Sequence, residues 1–580
     1  MEIHEYFTYV DWLVVFGYLG LTTWVGHAMR GKQGTIKDFF LGGRSIPWPA
    51  VSGSIIATEI SGVTFIGVPG TLFALHGDFT YLQWAIGSII ARVIVAAFFV
   101  RVYYQREIYS PYDFMGFRLG LSVKTLATVF FTIGSILAQS VRVLVAAIPL
   151  KVVTGMPLWV CIVIIGLFAI GWTLMGGMRT VIWTDVMQFA LFAIGGVIAL
   201  VWLIGGIEGG WPAMMETAEQ FGRTRIINPE FGLGADLKFT LWVALFAVPF
   251  QNLAVFGVDQ LAAQRMFCCK NARAAGKAIL FSSLGQLITL LMLLIGAALF
   301  VNKHQAGFGD QELATIFGTG LENVQDIRDA ATFAEHPGIH PLNEAERRSD
   351  VIVPGSVEVS SGKTLKGTSD YIFPIWIVMG LPVGLSGLIL AGVFAAAISS
   401  LDSILAALSQ TTLSLFYHPE RGNVGLSERQ LMFRSRLLVV GWGLVLTAFT
   451  LLLAMAREDI PILPLAFGMT TYTVGPLLAF FLCAMIGRGS FRGLLIGSLI
   501  SFVAVMFVRT DIWNLLTKAG IISAESLATL FTYELNASGD GVRSLYCFAW
   551  MWPLTCFITL GVGLLVPAGK GGAQRISSSD

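Results

Sequence analysis

Two segments of this chain combine residue types that can bind and release an ion in an apolar setting. The first reads Ser54-Ile55-Ile56-Ala57-Thr58-Glu59-Ile60-Ser61-Gly62-Val63-Thr64-Phe65-Ile66-Gly67-Val68-Pro69-Gly70. A carboxylate, hydroxyls, glycines and a proline share one otherwise hydrophobic stretch. At bilayer depth a glutamate is costly unless it is paired, solvated or protonated. Broken helix is tolerated there only where it lines a cavity or is buried in protein. Carbonyls freed at such a break can bind Na⁺, and half-helix N-termini favour anionic groups. A kinked packing helix, with Glu59 hydrogen-bonded to a neighbour, is the plainer alternative.

The second segment places Ala396, Ser399, Ser400 and Ser403 at i, i+3, i+4 and i+7, one polar stripe on a helix, with Asp402 beside it. Hydroxyl and carbonyl oxygens are hard ligands that suit an alkali cation, and no thiolate or imidazole points to a transition metal. Small-residue helix packing produces a similar stripe, but it would not need Asp402.

Further polar residues interrupt the apolar runs. Gly176 to Gln188 reads as a basic turn followed by a helix carrying Asp185 and Gln188, an arrangement that N-terminal capping also explains. Arg142 can attract a carboxylate solute or pair with Glu59 or Asp185, and pairing is expected. Asp259, with Gln260, Gln264 and Arg265, is expected to end its apolar run and organise that end.

The elements that must position these residues follow from composition. Of 580 residues, 55% are hydrophobic and 13% charged, with mean hydropathy +0.74, against about 25% charged in soluble domains. That excludes a large soluble enzyme, a nucleic-acid binder and a disordered scaffold as the main reading. The chain is an all-α polytopic membrane protein. Lys+Arg 37 against Asp+Glu 36 leaves +1, so no acidic or basic partner is implied. The six cysteines show no CxxC or Cys/His metal spacing, and the acidic start does not read as a cleavable signal peptide.

Apolar runs long enough to span lie near 9–28, 46–75, 79–103, 120–151, 156–176, 181–205, 238–260, 275–302, 383–416, 434–455, 459–486, 490–508 and 545–567, giving about 13 transmembrane helices. Basic residues fall in alternate connections, from Arg30, Lys32, Lys37 and Arg44 to Lys570 and Arg575. This predicts an outside amino terminus and a cytoplasmic carboxyl terminus in the cell membrane. A short re-entrant or interfacial piece is expected over 371–382. The polar stretch 303–370 is expected to be a variable extracytoplasmic surface loop.

Taken together, these segments resemble the sodium/solute symporter family, which includes sodium-glucose, sialic acid, proline and monocarboxylate carriers. The matching pieces are Phe39-Phe40-Leu41-Gly42-Gly43-Arg44, Ala57–Gly70, Ser110-Pro111-Tyr112-Asp113, Gly176–Gln188, Asp259–Arg265 and Ala395–Ser403. The resemblance implies a leucine-transporter-type 5+5 inverted repeat. Its core would occupy 46–486, preceded by an extra span and loop in 1–45. Two further spans in 487–567 and a tail in 568–580 would follow.

It also implies a Na⁺ site made by the carbonyls of Ala57, Ile60 and Ala396 and the hydroxyls of Ser399 and Ser400. A second cation site would use Asp185 and Ser403, with Asp402 where two-sodium members carry a serine. Ser61, Thr64, Phe79, Gln83 and Asn252 would face the solute, with Glu59 beside them. Ala138 replaces the sialic acid carrier's carboxylate-binding arginine, and Arg142 lies one turn away.

A charged Glu59 repels an anion unless Arg142 or Na⁺ offsets it. A sugar, polyol or zwitterion is therefore expected ahead of a plain carboxylate. The expected activity is Na⁺-coupled uptake by alternating access. A proton-linked or Na⁺-coupled organic-acid carrier is the alternative, and a transporter-like sensor a weaker one. Its partners would be the solute and the bilayer, with no nucleic acid or obligate protein partner implied. An enzyme is not expected, because no metal-ligand cluster or nucleophile–base pair accompanies the spans.

Overall fold

The computed structural model describes residues 3–29, 41–74, 76–105, 108, 110–174, 178–330, 356–358, 364–416, 428–456, 462–531, 533–535 and 541–567. Phe39, Phe40, Gly176, Gly177, the basic residues Arg30, Lys32 and Lys37, and the tail 568–580 lie outside the described residues.

The apolar runs form helices in chain order. They are α1 (Tyr9–Met29), the bent pair α2 (Trp48–Glu59) and α3 (Val63–Phe73), α4 (Phe79–Tyr103), α5 (Leu121–Thr154) and α6 (Leu158–Thr173). Next come α7 (Met178–Gly205), the bent pair α8 (Leu241–Gly257) and α9 (Gln260–Phe267), and α10 (Ala272–Ala306). The last five are α11 (Leu385–Leu415), α12 (Gln430–Met455), α13 (Ile462–Ile486), α14 (Phe491–Val508) and α15 (Phe548–Leu565). Ten are long and apolar enough to cross a bilayer alone, the two bent pairs do so jointly, and α6 is a shorter apolar helix. They coincide one for one with the runs expected from the sequence.

Hydroxyls inside these helices do not disturb them, because each can bond a carbonyl of its own preceding turn. Thr22 donates to Tyr18, Thr128 to Lys124, Thr173 to Ala169 and Thr411 to Ala407. α11 is the centre of the bundle, 94% buried over its apolar window, whereas α1 is 22% buried. Peripheral helices turn large apolar side chains outward, among them Leu13, Phe16 and Trp24 on α1 and Ile194, Val197 and Val201 on α7. A bilayer is the solvent that accepts such faces.

The two breaks set the functional geometry. α2 and α3 meet at 55° across Ile60–Gly62, and α8 and α9 meet at 50° five spans later. Ile60 leaves the helix with φ −83° and ψ 96°. Asp259 is extended as well, and its side chain accepts the Leu261 amide at 2.8 Å to start α9. Asp259 therefore does not end the seventh span, as the sequence suggested; it caps that span's second half. Every residue of α9 is buried, so Arg265 is a core group rather than a loop cation.

Close backbone approaches fix how the broken spans sit. A Cβ on Gly87 of α4 would lie 2.2 Å from the Ala244 carbonyl oxygen of α8, and one on Gly296 of α10 would lie 2.8 Å from that of Pro69 in α3. Asp11 of α1 accepts the amides of Gly384 (2.7 Å) and Gly387 (3.0 Å), so the first helix caps the start of α11. The short piece expected before the ninth span is the helix Ile372–Gly380. The 303–370 stretch is not loop throughout: it holds helices Asp310–Phe317 and Val324–Ala330 and a hairpin of 356–358 with 364–366. Lys303 on Glu312, at 2.6 Å, ties its start to α10.

Candidate functional site

The break in the second span leaves acceptors without donors. Ile60 donates to Ile56, and the Thr64 and Phe65 amides return to Ser61. Among the described residues no backbone amide donates to the carbonyls of Ala57 or Ile60. Helix ends shed such groups by geometry, and here they emerge in the bilayer-depth interior. α11 packs against α2, with Ser399 and Ser400 fully buried on it and Ala396 one turn before. The donor set is oxygen only, as an alkali cation requires.

Asp185 joins these two helices. It lies well inside α7, fully buried, and so is no N-terminal cap. One oxygen accepts the Ser399 hydroxyl and the other the Ser54 hydroxyl of α2, both at 2.5 Å. Arg265 of α9 completes the cluster, reaching Asp185 at 2.9 Å, Ser54 at 2.8 Å and Ser403 at 2.6 Å. Ser403 in turn bonds the Ser399 carbonyl (2.7 Å) and Asp402 (3.1 Å). One guanidinium thus ties four elements, α2, α7, α9 and α11, around two buried carboxylates. Sequence reasoning assigns Arg265 only an end-organising role and does not single out Ser54.

A cavity of about 200 Å³ opens beside the break. Its wall includes Glu59, Ser61 and Thr64 of the second span, Ser135, Gln139 and Arg142 of α5, and Asn252 of α8. Trp84 and Ser88 of α4 and Phe467 of α13 also line it. This is the cavity that unwound backbone needs.

The partner of Glu59 is Arg92, a residue that sequence reasoning passed over. The Arg92 guanidinium is buried in α4 and forms an ion pair with Glu59, and Gln286 donates to the other oxygen at 3.0 Å. Arg92 also bonds Ser88 (2.5 Å) and Ser282 (3.1 Å) and stacks over Phe256 at 4.0 Å. Its signal was present: an arginine in the middle of a 25-residue apolar helix whose other arginine, Arg101, sits only in the last turn. An ion at that depth marks function or a partner. The expected pairing of Arg142 with Glu59 or Asp185 is not formed, because Arg92 and Arg265 hold those carboxylates. Arg142 donates instead to the Thr58 carbonyl at 3.3 Å.

Two of the residues expected to face the solute lie off this cavity. Phe79 and Gln83 do not line the cavity, whereas Ser61, Thr64, Glu59 and Asn252 do. Gln83 is buried between loops, donating to the Thr80 (3.1 Å) and Phe239 (3.0 Å) carbonyls and accepting from the Asn228 amide (3.3 Å). The register of α4 explains this. Tyr81, Trp84, Ser88 and Arg92 fall on one helical face, and Trp84 is pinned against Phe467 with ring centres 4.9 Å apart.

Comparison with known proteins agrees with this geometry. The sodium:solute symporter family model matches residues 39–322 and 353–500. A sodium/glucose cotransporter of Vibrio parahaemolyticus is 28% identical over 403 residues, 67% of this chain and 64% of that protein. The sodium/sialic acid symporter SiaT of Proteus mirabilis is 25% identical over 88% of this chain and 91% of its own. A solved Na⁺-coupled sialic acid symporter, substrate-bound and outward-open, superposes with TM-score 0.70 at 21% identity, covering 96% of this chain and 97% of that one. The fold is therefore the leucine-transporter type, whose inverted repeat places the two breaks five spans apart. The chain belongs to the sodium:solute symporter family.

Proposed function

We propose that this protein takes up a small polar organic solute with Na⁺ by alternating access, in the cell membrane, with its amino terminus outside. The observation that carries this reading is the broken second span. Its freed Ala57 and Ile60 carbonyls lie on a helix packed against the Ser399–Ser400 hydroxyls of α11, beside a cavity of solute size. Na⁺ held by these groups and the Ala396 carbonyl would clamp α2 to α11 and raise the population of the solute-competent state. The membrane potential contributes about 2.3 kcal/mol per charge at 100 mV to the inward step.

The transport core is 46–486, flanked by 1–45 and 487–567. Asp185, Asp402 and Ser403 form a second cation site already shared with Arg265. Two carboxylates against one guanidinium leave a charge that one further monovalent cation neutralises.

A sugar, polyol or zwitterion remains the expected solute. The organic-acid alternative gains support from one observation. Arg92 compensates Glu59 inside the protein, so Glu59 no longer argues against an anion. The test is uptake into proteoliposomes under an imposed Na⁺ gradient. Accumulation that follows the gradient supports the reading. Uptake that ignores Na⁺ and collapses with an uncoupler overturns it in favour of proton coupling.

A further inference from the structure

The residues of α5 that line the cavity are Phe131, Gly134, Ser135, Ala138, Gln139 and Arg142. The last four are spaced i, i+3, i+4 and i+7, so they form one stripe on the helix. Two of these carry hydrogen-bonding capacity that the protein does not use. Arg142 has no ion-pair partner among the described residues, and its recorded bond is the long one to Thr58, at 3.3 Å. Gln139 is 4% exposed, and its Oε1 has no hydrogen-bond partner. Buried polar atoms of native proteins are seldom left so.

The remaining charges of the wall are committed. Glu59 is held by Arg92 and Gln286, and Arg265 by Asp185. Asp259 accepts the Leu261 amide and is offset electrostatically by Arg142 and Arg265, beyond ion-pair distance of either. The facing wall is aromatic, with Trp84 packed on Phe467.

We infer that the cavity recognises a small carboxylate carrying a hydrogen-bond donor next to it, such as a 2-hydroxy or 2-amino acid. This rests on the symport reading above and, within it, selects the zwitterion and organic-acid solutes over a neutral sugar or polyol. The planar guanidinium of Arg142 matches a carboxylate bidentately. The Gln139 oxygen, one turn away and about 5–6 Å off at Cβ, accepts from the adjacent hydroxyl or ammonium. Trp84 and Phe467 cover the carbon skeleton. The carboxylate takes the open N–H groups of Arg142 and the neighbouring donor takes the orphaned oxygen, so one small molecule satisfies both.

The experiment is thermal stabilisation of the purified full-length protein, with and without Na⁺, by matched probes. These are L-lactate against L-lactamide, L-proline against L-prolinamide, propionate as the acid without a neighbouring donor, and D-glucose. A ligand selective for the folded state raises its stability. At least one of the carboxylates is expected to stabilise in Na⁺, with its amide partner at least tenfold weaker. Arg142→Gln is expected to abolish that shift. Gln139→Leu is expected to weaken the donor-bearing acid about tenfold while leaving propionate unchanged.

The matched pairs on the unaltered protein keep the test valid should a variant fail to fold. No shift from any carboxylate overturns the inference, whatever glucose does. An amide equal to its acid overturns it too. A carboxylate shift indifferent to Na⁺ leaves this inference standing and overturns the symport reading instead.

Discussion

Arg92 of α4 meets Glu59, the last residue of α2, in an ion pair whose guanidinium is wholly enclosed while the carboxylate keeps 22% of its side chain open. The charge at the edge of the broken span is thereby compensated by the protein, independently of any ion or solute. Glu59 is left facing the cavity as half of a fixed dipole rather than as a free anion.

Removing one partner of such a pair leaves the other charge buried, at about 3–5 kcal/mol. Arg92→Leu is therefore expected to lower the unfolding temperature sharply, and adding Glu59→Gln to recover part of the loss. Thermal unfolding of the unaltered protein and the two variants in detergent measures this. A double variant no more stable than Arg92→Leu alone would mean that Ser88, Ser282 and Phe256 carry the effect.

The Na⁺ site makes a kinetic prediction. Ser400→Ala removes one hydroxyl ligand and is expected to raise the Na⁺ concentration for half-maximal uptake about tenfold, equivalent to ~1.4 kcal/mol. Unchanged Na⁺ dependence in proteoliposomes would remove Ser400 from the site.

At Arg265 shape matters as much as charge. Its guanidinium reaches Ser54, Asp185 and Ser403 together. A lysine keeps the charge but not the fork that spans these partners. Arg265→Lys is expected to cut the initial uptake rate at least tenfold in protein that still reaches the membrane. A rate near the unaltered protein's would show that the charge alone suffices.

Asp11 provides a stability test away from the site. Asp11→Ala removes the one oxygen that accepts both amides at the start of α11, a loss comparable to an N-terminal cap at about 0.5–2 kcal/mol. A lower unfolding temperature with unaltered Na⁺ affinity is expected. An altered Na⁺ affinity would instead couple α1 to the transport cycle.

Much of this was legible in sequence because a bilayer imposes one demand on every span. Long apolar runs gave the helices, and Glu59 among Gly62, Gly67 and Pro69 marked one break. The second break was not read, since a single glycine, Gly257, precedes it and the residues that turn, Val258 and Asp259, are neither glycine nor proline. Ser61, Thr64 and Asn252, expected to face the solute, reached the cavity wall. Phe79 and Gln83 did not, because a shift of helical register is invisible without the aromatic contacts of Trp84 that set it. Arg142 was read as a paired ion because its rivals for Glu59 and Asp185, namely Arg92 and Arg265, lie on other spans. Only the folded chain shows which cation arrives first at a carboxylate.

The bond from Asp11 to Gly384 also bears on how the protein is made. The two residues are 373 positions apart, and a ribosome adding about 5–20 residues per second needs roughly 20–75 s to cover that distance. Throughout that interval the first helix exists without the amides it will cap. Until the ninth span emerges its carboxylate has only the local bonds from Thr8. α1 thus reaches this bond only once the ninth span has emerged, and damage to Asp11 would be felt late in biogenesis.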